Sequence, residues 1–312
     1  MSEQELISVV IPVSERFDDV KTLYYEYKEA ISQFSKNYEF IYVLDGEFHD
    51  VQTVLEDLHD DSEPIKIYKL SKWFGEATAL SVAFEKSRGN KIVTLPAYYQ
   101  VESSEIPLLL RGLEEADMVI GWRWPRKDSA FNRIQAKIFN SLFNAITDVD
   151  FHDLGCSVRA FSRAVITEIP VYGDQHRFLP VLANRRGFKI KEIKLEQSKN
   201  DSYTRIYRPG VYIRRLLDII TVFFLAKFIK KPLRFFGLIG SSTFILGGLV
   251  LLYLGVERIF LNVGIADRPL LLLGSLLFVL GVQIFAIGLI GELIIFTHAK
   301  DMKEYTIETI IE

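Results

Sequence analysis

Short apolar runs alternate with amphipathic stretches over the first part of the chain, and two long apolar runs lie near its end. Ile7 to Val13 is apolar and β-branched, ends at Pro12-Val13-Ser14, and gives way to a helical pattern from Asp19 to about Gln33. The cycle repeats. Phe40 to Leu44 leads through Asp45-Gly46 to a helix near Val51 to His59, and Ile65 to Leu70 leads to a helix from Gly75 to Ser87. Ile92 to Leu95 precedes a helix near Glu105 to Glu115, and Met118 to Gly121 makes another strand. Strands that are apolar throughout and alternate with helices predict a parallel sheet covered on both faces. Ligands of open α/β sheets gather at the carboxyl ends of the strands. Those ends are Pro12 to Arg16, Asp45 to Glu47, Ser71 to Gly75 and Pro96 to Gln100.

The two long runs predict a membrane hairpin. Phe235 to Gly255 carries no charge and Pro269 to Phe296 carries only Glu292, so each supplies the roughly 20 residues that cross a bilayer core. The spans are expected at about 235–256 and 269–296. Lys227, Lys230, Lys231 and Arg234 crowd the entrance of the first, and Lys300 and Lys303 follow the second, which places body and tail in the cytoplasm by the positive-inside rule. The loop from Val256 to Arg268 pairs Arg258 and Arg268 with Glu257 and Asp267 and is the less basic side. Tyr212 to Ile229 sets Leu216, Ile219, Ile220, Phe223 and Phe224 among Arg214, Arg215 and Lys227. That stretch is read either as an interfacial helix with its cations near anionic headgroups or as an amphipathic helix on the body. Glu292 is tolerable near the cytoplasmic end of its span. Gly247, Gly248 and the glycines at 274, 281, 288 and 291 permit close packing of the spans or of a partner hairpin, so a homo-oligomer is expected.

A chain of 312 residues then divides into a soluble α/β domain over 1–210, juxtamembrane amphipathic helices over 211–234, the hairpin over 235–298 and a tail over 299–312. Composition narrows the chemistry. With 37 Lys+Arg against 40 Asp+Glu, the balance argues against a nucleic-acid partner. Cys156 is the only cysteine, which excludes an internal disulfide and a multi-cysteine zinc site. Met1 to Leu6 is polar and acidic, without the regions of a signal peptide, so insertion is expected to depend on the late spans.

Val9-Val10-Ile11-Pro12-Val13, Val43-Leu44-Asp45-Gly46 and Leu70-Ser71-Lys72-Trp73-Phe74-Gly75 follow one another in an order that resembles the family-two glycosyltransferases. More narrowly, the chain resembles their membrane-anchored polyprenyl-phosphate members, the dolichol-phosphate mannose synthase type with two carboxy-terminal spans. Val119-Ile120-Gly121-Trp122-Arg123 with Arg126, Asp128 and Ser129, then Asp153-Leu154-Gly155-Cys156 with Arg159, His176-Arg177-Phe178-Leu179-Pro180 and Pro232-Leu233-Arg234-Phe235-Phe236-Gly237 agree with it. So do Gly281-Val282-Gln283 and Gly288-Leu289-Ile290-Gly291-Glu292 in the second span. The resemblance implies a GT-A, Rossmann-like, mostly parallel sheet. It implies inverting transfer of a sugar from a nucleotide-sugar donor to undecaprenyl or dolichyl phosphate by an integral membrane protein, of the plasma membrane in a bacterium.

One motif departs. After the fourth strand such enzymes present Asp-x-Asp to hold Mg or Mn against the donor diphosphate, and this chain reads Pro96-Ala97-Tyr98-Tyr99-Gln100. Proline cannot ligate a metal and a neutral phenol is a poor ligand for a hard cation, so the metal site is expected to be weak or absent. Leu44 and Glu47 also replace the first Asp and the Ser of Asp-Asp-Gly-Ser, leaving Asp45 to approach the nucleotide. The lost carboxylates keep a second reading open, a catalytically impaired homologue serving as a lipid-phosphate-binding or partner-binding scaffold.

The candidate positions, some implied by the resemblance and others chosen for the charge or hydrogen bonds they offer, fall into three groups. For the donor they are Pro12, Glu15, Asp45, Tyr98, Gln100 and Arg123; for catalysis, Asp153 and Arg159; for the acceptor phosphate, Arg126, Ser129, His176, Arg177 and Arg205. Arg205 lies in Ser202 to Tyr207, which resembles a Ser-Lys-x-Tyr segment of the family. The arginine forks suit phosphate and could replace the metal. Each position also has a plainer reading: Asp45 as a turn residue, Asp153 as a loop cap, His176 and Arg177 as a helix cap, Tyr98 as packing and the arginines as ion pairs.

Overall fold

A computed structural model describes residues 6–14, 16–127, 151–169, 179–201, 232–261, 264 and 268–298. They fall into two units, one holding the sheet and its helices, the other the two long helices. In chain order the first unit contains β1 Ile7–Val13, α1 Val20–Ser32, β2 Tyr38–Leu44, α2 His49–Asp60, β3 Ile65–Lys69, α3 Glu76–Lys86 and β4 Lys91–Thr94. α4 Ile106–Gly112, β5 Met118–Arg123, β6 Arg159–Ser162, α5 Arg163–Glu168, α6 Leu179–Arg185 and β7 Ile190–Leu195 follow. The expected amphipathic helices over 211–234 and the tail over 299–312 lie outside the described residues, apart from 232–234, which open the first long helix.

Seven strands form one sheet in the order β3-β2-β1-β4-β6-β5-β7. β1 pairs parallel with β2 and β4, β2 with β3, and β5 with β7, while β6 runs antiparallel between β4 and β5. The mostly parallel sheet is as expected, with one reversed strand and an edge strand, β7, added to the pattern. Every residue of β1 is buried. Val10 O bonds Leu95 N on the β4 side and Val13 O bonds Asp45 N on the β2 side. Pro12 therefore faces β4 beyond its last pair, Val10 with Thr94, where a missing N–H leaves no ladder bond unmade.

Helices cover both faces. Asp19 caps α1, accepting from Lys21 N at 3.1 Å and Thr22 N at 3.3 Å, and the α1 stripe Leu23, Tyr24, Tyr27 and Ile31 joins Val9 and Ile11 of β1 with Leu55 and Leu58 of α2 in one core. Val10, Ile41 and Val43 are equally buried, and α3 packs on β1 and β2. Burying each such Leu, Ile or Val stabilises the fold by about 1.5–3 kcal/mol.

Glu39 is a buried charge near the amino end of β2, away from the carboxyl strand ends. Its carboxylate accepts from Ser8 Oγ at 2.7 Å, Arg88 N at 2.7 Å and Lys66 Nζ at 2.6 Å. Burial alone would raise its pKa, but the bonds from Lys66, Ser8 and the Arg88 amide outweigh it and hold the carboxyl below its ordinary range. A depressed folded pKa contributes stability above the unfolded value of about 4.3 that is lost as pH falls through the folded value. Glu39→Gln is expected to lower stability by about 1–3 kcal/mol at neutral pH. In urea melts the deficit should shrink toward acid; a deficit independent of pH would remove the charge from the explanation.

In the second unit, α7 Pro232–Leu261 and α8 Pro269–His298 each run for 30 residues, roughly 45 Å at helical rise. Both are long and apolar enough to cross a bilayer. The first extends beyond its run of uncharged residues at both ends, opening at Pro232 and carrying Arg258 in its last turn. The outward residues are apolar, with Phe260 78% and Leu272 74% exposed, as a lipid-facing surface requires. Gly240, Gly247 and Gly281 face backbone of the opposite helix. Glu292 Oε2 accepts from Leu233 N at 3.4 Å, so the one charge of the second span meets the open N–H groups at the start of α7.

Candidate active site

The site grows from the carboxyl ends of β1, β2, β4 and β5. Because β6 runs antiparallel, its first residue, Arg159, stands opposite Thr94 of β4 and Ile120 of β5. The turn that feeds it, Phe151 to Val158, thus reaches the same edge. This reversal is what brings Asp153 to the strand ends.

Asp153 is 3% exposed and Arg123 8%. Arg123 Nε donates to Asp153 Oδ2 at 2.7 Å and Nη2 to Oδ1 at 2.9 Å, a fork on a carboxylate, while the Arg123 backbone N–H reaches Oδ2 at 3.3 Å. Arg126 Nη1 lies 3.8 Å from Oδ1. Burial would raise the Asp153 pKa, but the Arg123 charge and hydrogen bonds and the Arg126 charge outweigh it and hold the carboxyl low. Asp153 is therefore an anion whose two oxygens orient guanidinium groups.

Arg159 closes the turn itself. Its Nε donates to Cys156 O at 3.0 Å and its Nη2 to Leu154 O at 2.9 Å. Gln100, 2% exposed, links the turn to the β4 loop, since its Oε1 accepts from Ser157 N at 2.8 Å and its Nε2 donates to Tyr98 Oη at 3.1 Å. Cys156 is buried against Gln100, and burial pushes its thiol up to about 11. It is a packing residue.

Tyr98 is partly buried. Burial, and then the charge of Glu76, push its phenol up to about 12 against the opposing pull of Arg123 and Arg16, so it is neutral near pH 7. The Arg16 guanidinium lies over its ring, 4.0 Å from the centroid, within cation–π range. Arg16 Nη1 donates to Asp201 Oδ1 at 2.9 Å, and Nη2 lies 3.6 Å from Asp18. Asp201 is tied through Gln197 Nε2 at 2.8 Å, and Gln197 Oε1 accepts from Lys127 N at 2.6 Å.

Asp45 occupies the other side of β1. It is fully buried, and its oxygens accept from Phe74 N at 2.7 Å and Gly75 N at 2.8 Å. The carboxylate ties the end of β2 to the loop before α3, where Gly75, at φ 100, takes a backbone conformation that side chains disfavour. Phe48 and the Trp73 Cβ border Gly46, and Trp73 and Phe74 are exposed at this rim.

The structure thus gathers Tyr98, Gln100, Arg123, Arg126, Asp153 and Arg159, with Asp45 and Pro12 beside them on neighbouring strands. Glu15, Ser129, His176, Arg177 and Arg205 lie outside the described residues. Sequence reasoning passed over Arg16, Gln197 and Asp201. Arg16 stands in the first strand-end stretch and could have been weighed with the other cations.

The positions of the Asp-x-Asp motif do not fit a divalent cation. Pro96 O accepts from Tyr27 Oη at 3.1 Å, Tyr98 Oη receives the Gln100 amide, and a guanidinium lies over the Tyr98 ring. Among the described residues no three His, Cys, Asp or Glu side chains are grouped to hold a metal.

Residues 8–169 match the family described as Glycosyl transferase family 2. The dodecaprenyl-phosphate galacturonate synthase of Rhizobium johnstonii is 30% identical over 302 residues, covering 95% of this chain and 89% of that protein. An undecaprenyl-phosphate 4-deoxy-4-formamido-L-arabinose transferase of Pseudomonas syringae pv. syringae is 28% identical over 312 residues, covering 98% and 91%. Among solved structures, glucosyl-3-phosphoglycerate synthase from Mycobacterium tuberculosis, in complex with Mn2+, UDP-glucose and phosphoglyceric acid, superposes with a TM-score of 0.54 at 15% identity, covering 70% of this chain and 79% of that one. That likeness carries the fold.

Proposed function

This chain belongs to glycosyl transferase family 2, and from that membership we propose that it transfers a sugar, with inversion, from a nucleotide-sugar donor to a polyprenyl phosphate. The observation that carries the reading is the buried Asp153 with Arg123 and Arg126 on it at the strand ends, in a chain matched nearly end to end by enzymes named for polyprenyl-phosphate products. The two apolar helices anchor the site at a membrane, where such an acceptor resides. The basic residues flanking them support a cytoplasmic catalytic unit.

The chemistry follows from charge. A lipid phosphate oxygen attacks the anomeric carbon opposite the leaving group; the new C–O bond forms as the bond to the nucleoside diphosphate breaks, and the electron pair leaves on the diphosphate. At neutral pH the acceptor needs little proton removal, so Asp153 acts as a positioning residue for Arg123 and Arg126 rather than as a base. Those guanidiniums meet phosphate charge in a partly desolvated setting, where fixed cations act most strongly. Tyr98 contributes a neutral hydroxyl, Arg159 and Gln100 hold the turn, and Asp45 holds the loop beside the nucleotide. A metal would ordinarily stabilise the departing diphosphate by several kcal/mol, and the residues at that position do not fit one.

The purified full chain in lipid nanodiscs, given radiolabelled nucleotide sugars and undecaprenyl phosphate, is expected to form a lipid-linked sugar of inverted anomeric configuration. Absence of product across a donor panel, with and without metal, would leave a binding scaffold as the better description.

A further inference from the structure

The loop after β4 holds Pro96 and Tyr98 where the family resemblance implies two acids, and a fixed cation lies over it. Pro96 has no side-chain donor and Tyr98 is a neutral phenol, yet the space over the Tyr98 ring carries the Arg16 guanidinium at 4.0 Å. Arg16 leaves the end of β1, the strand beside β4, so the two meet at the mouth of the sheet. The guanidinium is held on three sides, by the ring, by Asp201 at 2.9 Å and by Asp18 at 3.6 Å. Its side chain is 17% exposed. Asp18 in turn accepts the Tyr99 N–H at 3.0 Å, which fixes the carboxylate to the same loop. A guanidinium ordered in advance loses little freedom on meeting a phosphate, and its planar fork matches phosphate oxygens.

We propose that Arg16, seated on Tyr98, binds the diphosphate of the donor in place of a divalent cation, so that donor binding and transfer proceed without metal. This rests on the transferase reading and deepens it. The positive charge is here covalently part of the chain, and Asp201 and Asp18 orient it. When the bond to the sugar breaks, the added charge on the diphosphate is met by Arg16 without a change in metal occupancy.

Isothermal titration of the full chain in nanodiscs tests this, using UDP, GDP, CDP, ADP and dTDP with the matching monophosphates, in chelator and in Mg2+ or Mn2+. For the nucleotide that binds, chelation is expected to change the diphosphate Kd by less than about twofold. Arg16→Ala is expected to weaken the diphosphate about tenfold or more while changing the monophosphate by less than about threefold, and Arg16→Lys to fall between. Tyr98→Asp combined with Arg16→Ala should regain diphosphate affinity only when metal is added. If Arg16→Ala fails to fold, Arg16→Lys and the chelation comparison on the native chain still decide. Loss of wild-type diphosphate binding on chelation overturns the inference and leaves the transferase reading standing. Equal weakening of mono- and diphosphate in Arg16→Ala also overturns it, by reducing Arg16 to a structural tie. Binding of no nucleotide in any arm removes both readings together.

Discussion

Asp153→Asn is expected to lower folding stability by about 3–5 kcal/mol, because it leaves the Arg123 guanidinium buried without its counter-charge. Both residues are nearly inaccessible, and the pair carries two short side-chain bonds with a third from the backbone. The deficit should follow pH with a definite sign. A carboxyl whose folded pKa is depressed contributes stability above the unfolded value, lost as pH falls through the folded one. Wild type and variant should therefore converge in acid. Transfer should fall by about two orders of magnitude or more, since Arg123 and Arg126 lose the anion that aims them. Stability and chemistry separate in the double variant Arg123→Met, Asp153→Leu. An apolar pair of similar volume is often neutral in place of a buried ion pair, so its urea midpoint should return near wild type while activity stays lost. Recovery of activity in that double variant would show that the pair has no part in transfer.

How much of this was legible in the sequence depended on how locally each feature is encoded. β1, β2 and β4 announce themselves by short, mostly apolar runs, Val9 to Val13, Phe40 to Leu44 and Ile92 to Leu95, and Asp19 reads as a helix start because its partners, Lys21 and Thr22, lie within the next turn. β6 is only four residues, Arg159 to Ser162, with a charged head, and β7 sets Ile190 and Ile193 among Lys191, Glu192 and Lys194 without a regular alternation, at a half-exposed edge of the sheet. Neither matches the unbroken apolar run by which a buried parallel strand is recognised. The site suffered more. The Arg123–Asp153 pair spans 30 positions, Asp45 reaches 29 positions to Phe74, and Arg16 reaches 185 positions to Asp201. No periodicity couples residues so far apart; the fold does. Asp45 and Asp153 were identified as positions, but what their carboxylates hold became visible only in three dimensions. For the glycines the sequence left two partners open, a second span or a second hairpin. Contacts within one hairpin account for those at 247, 274, 281 and 288.

Gly247→Leu is expected to separate the two long helices, and Gly255→Leu on the same helix to leave them in place. The contrast is geometric. A Cβ on Gly240 would stand 2.6 Å from the Phe285 amide nitrogen and 2.9 Å from Gly281 O, and those on Gly247 and Gly281 would approach the opposite backbone more closely still. Backbone cannot step aside as a side-chain tip can, so α7 and α8 must part and lose the packing on which association in lipid depends. A Cβ on Gly255 meets nothing within 4 Å, and replacing a glycine inside a helix should if anything stabilise it, by roughly 0.5–1 kcal/mol. The Gly247 change should cost about 3 kcal/mol or more, the upper range for overpacking, because relief requires moving a whole helix. Spin labels at Leu238 and Leu289, both exposed, report the outcome in nanodiscs. Their separation should match the parent in Gly255→Leu and widen in Gly247→Leu, with a parallel loss of resistance to unfolding by detergent. An unchanged separation in Gly247→Leu would mean that the spans do not meet along this glycine face in the membrane.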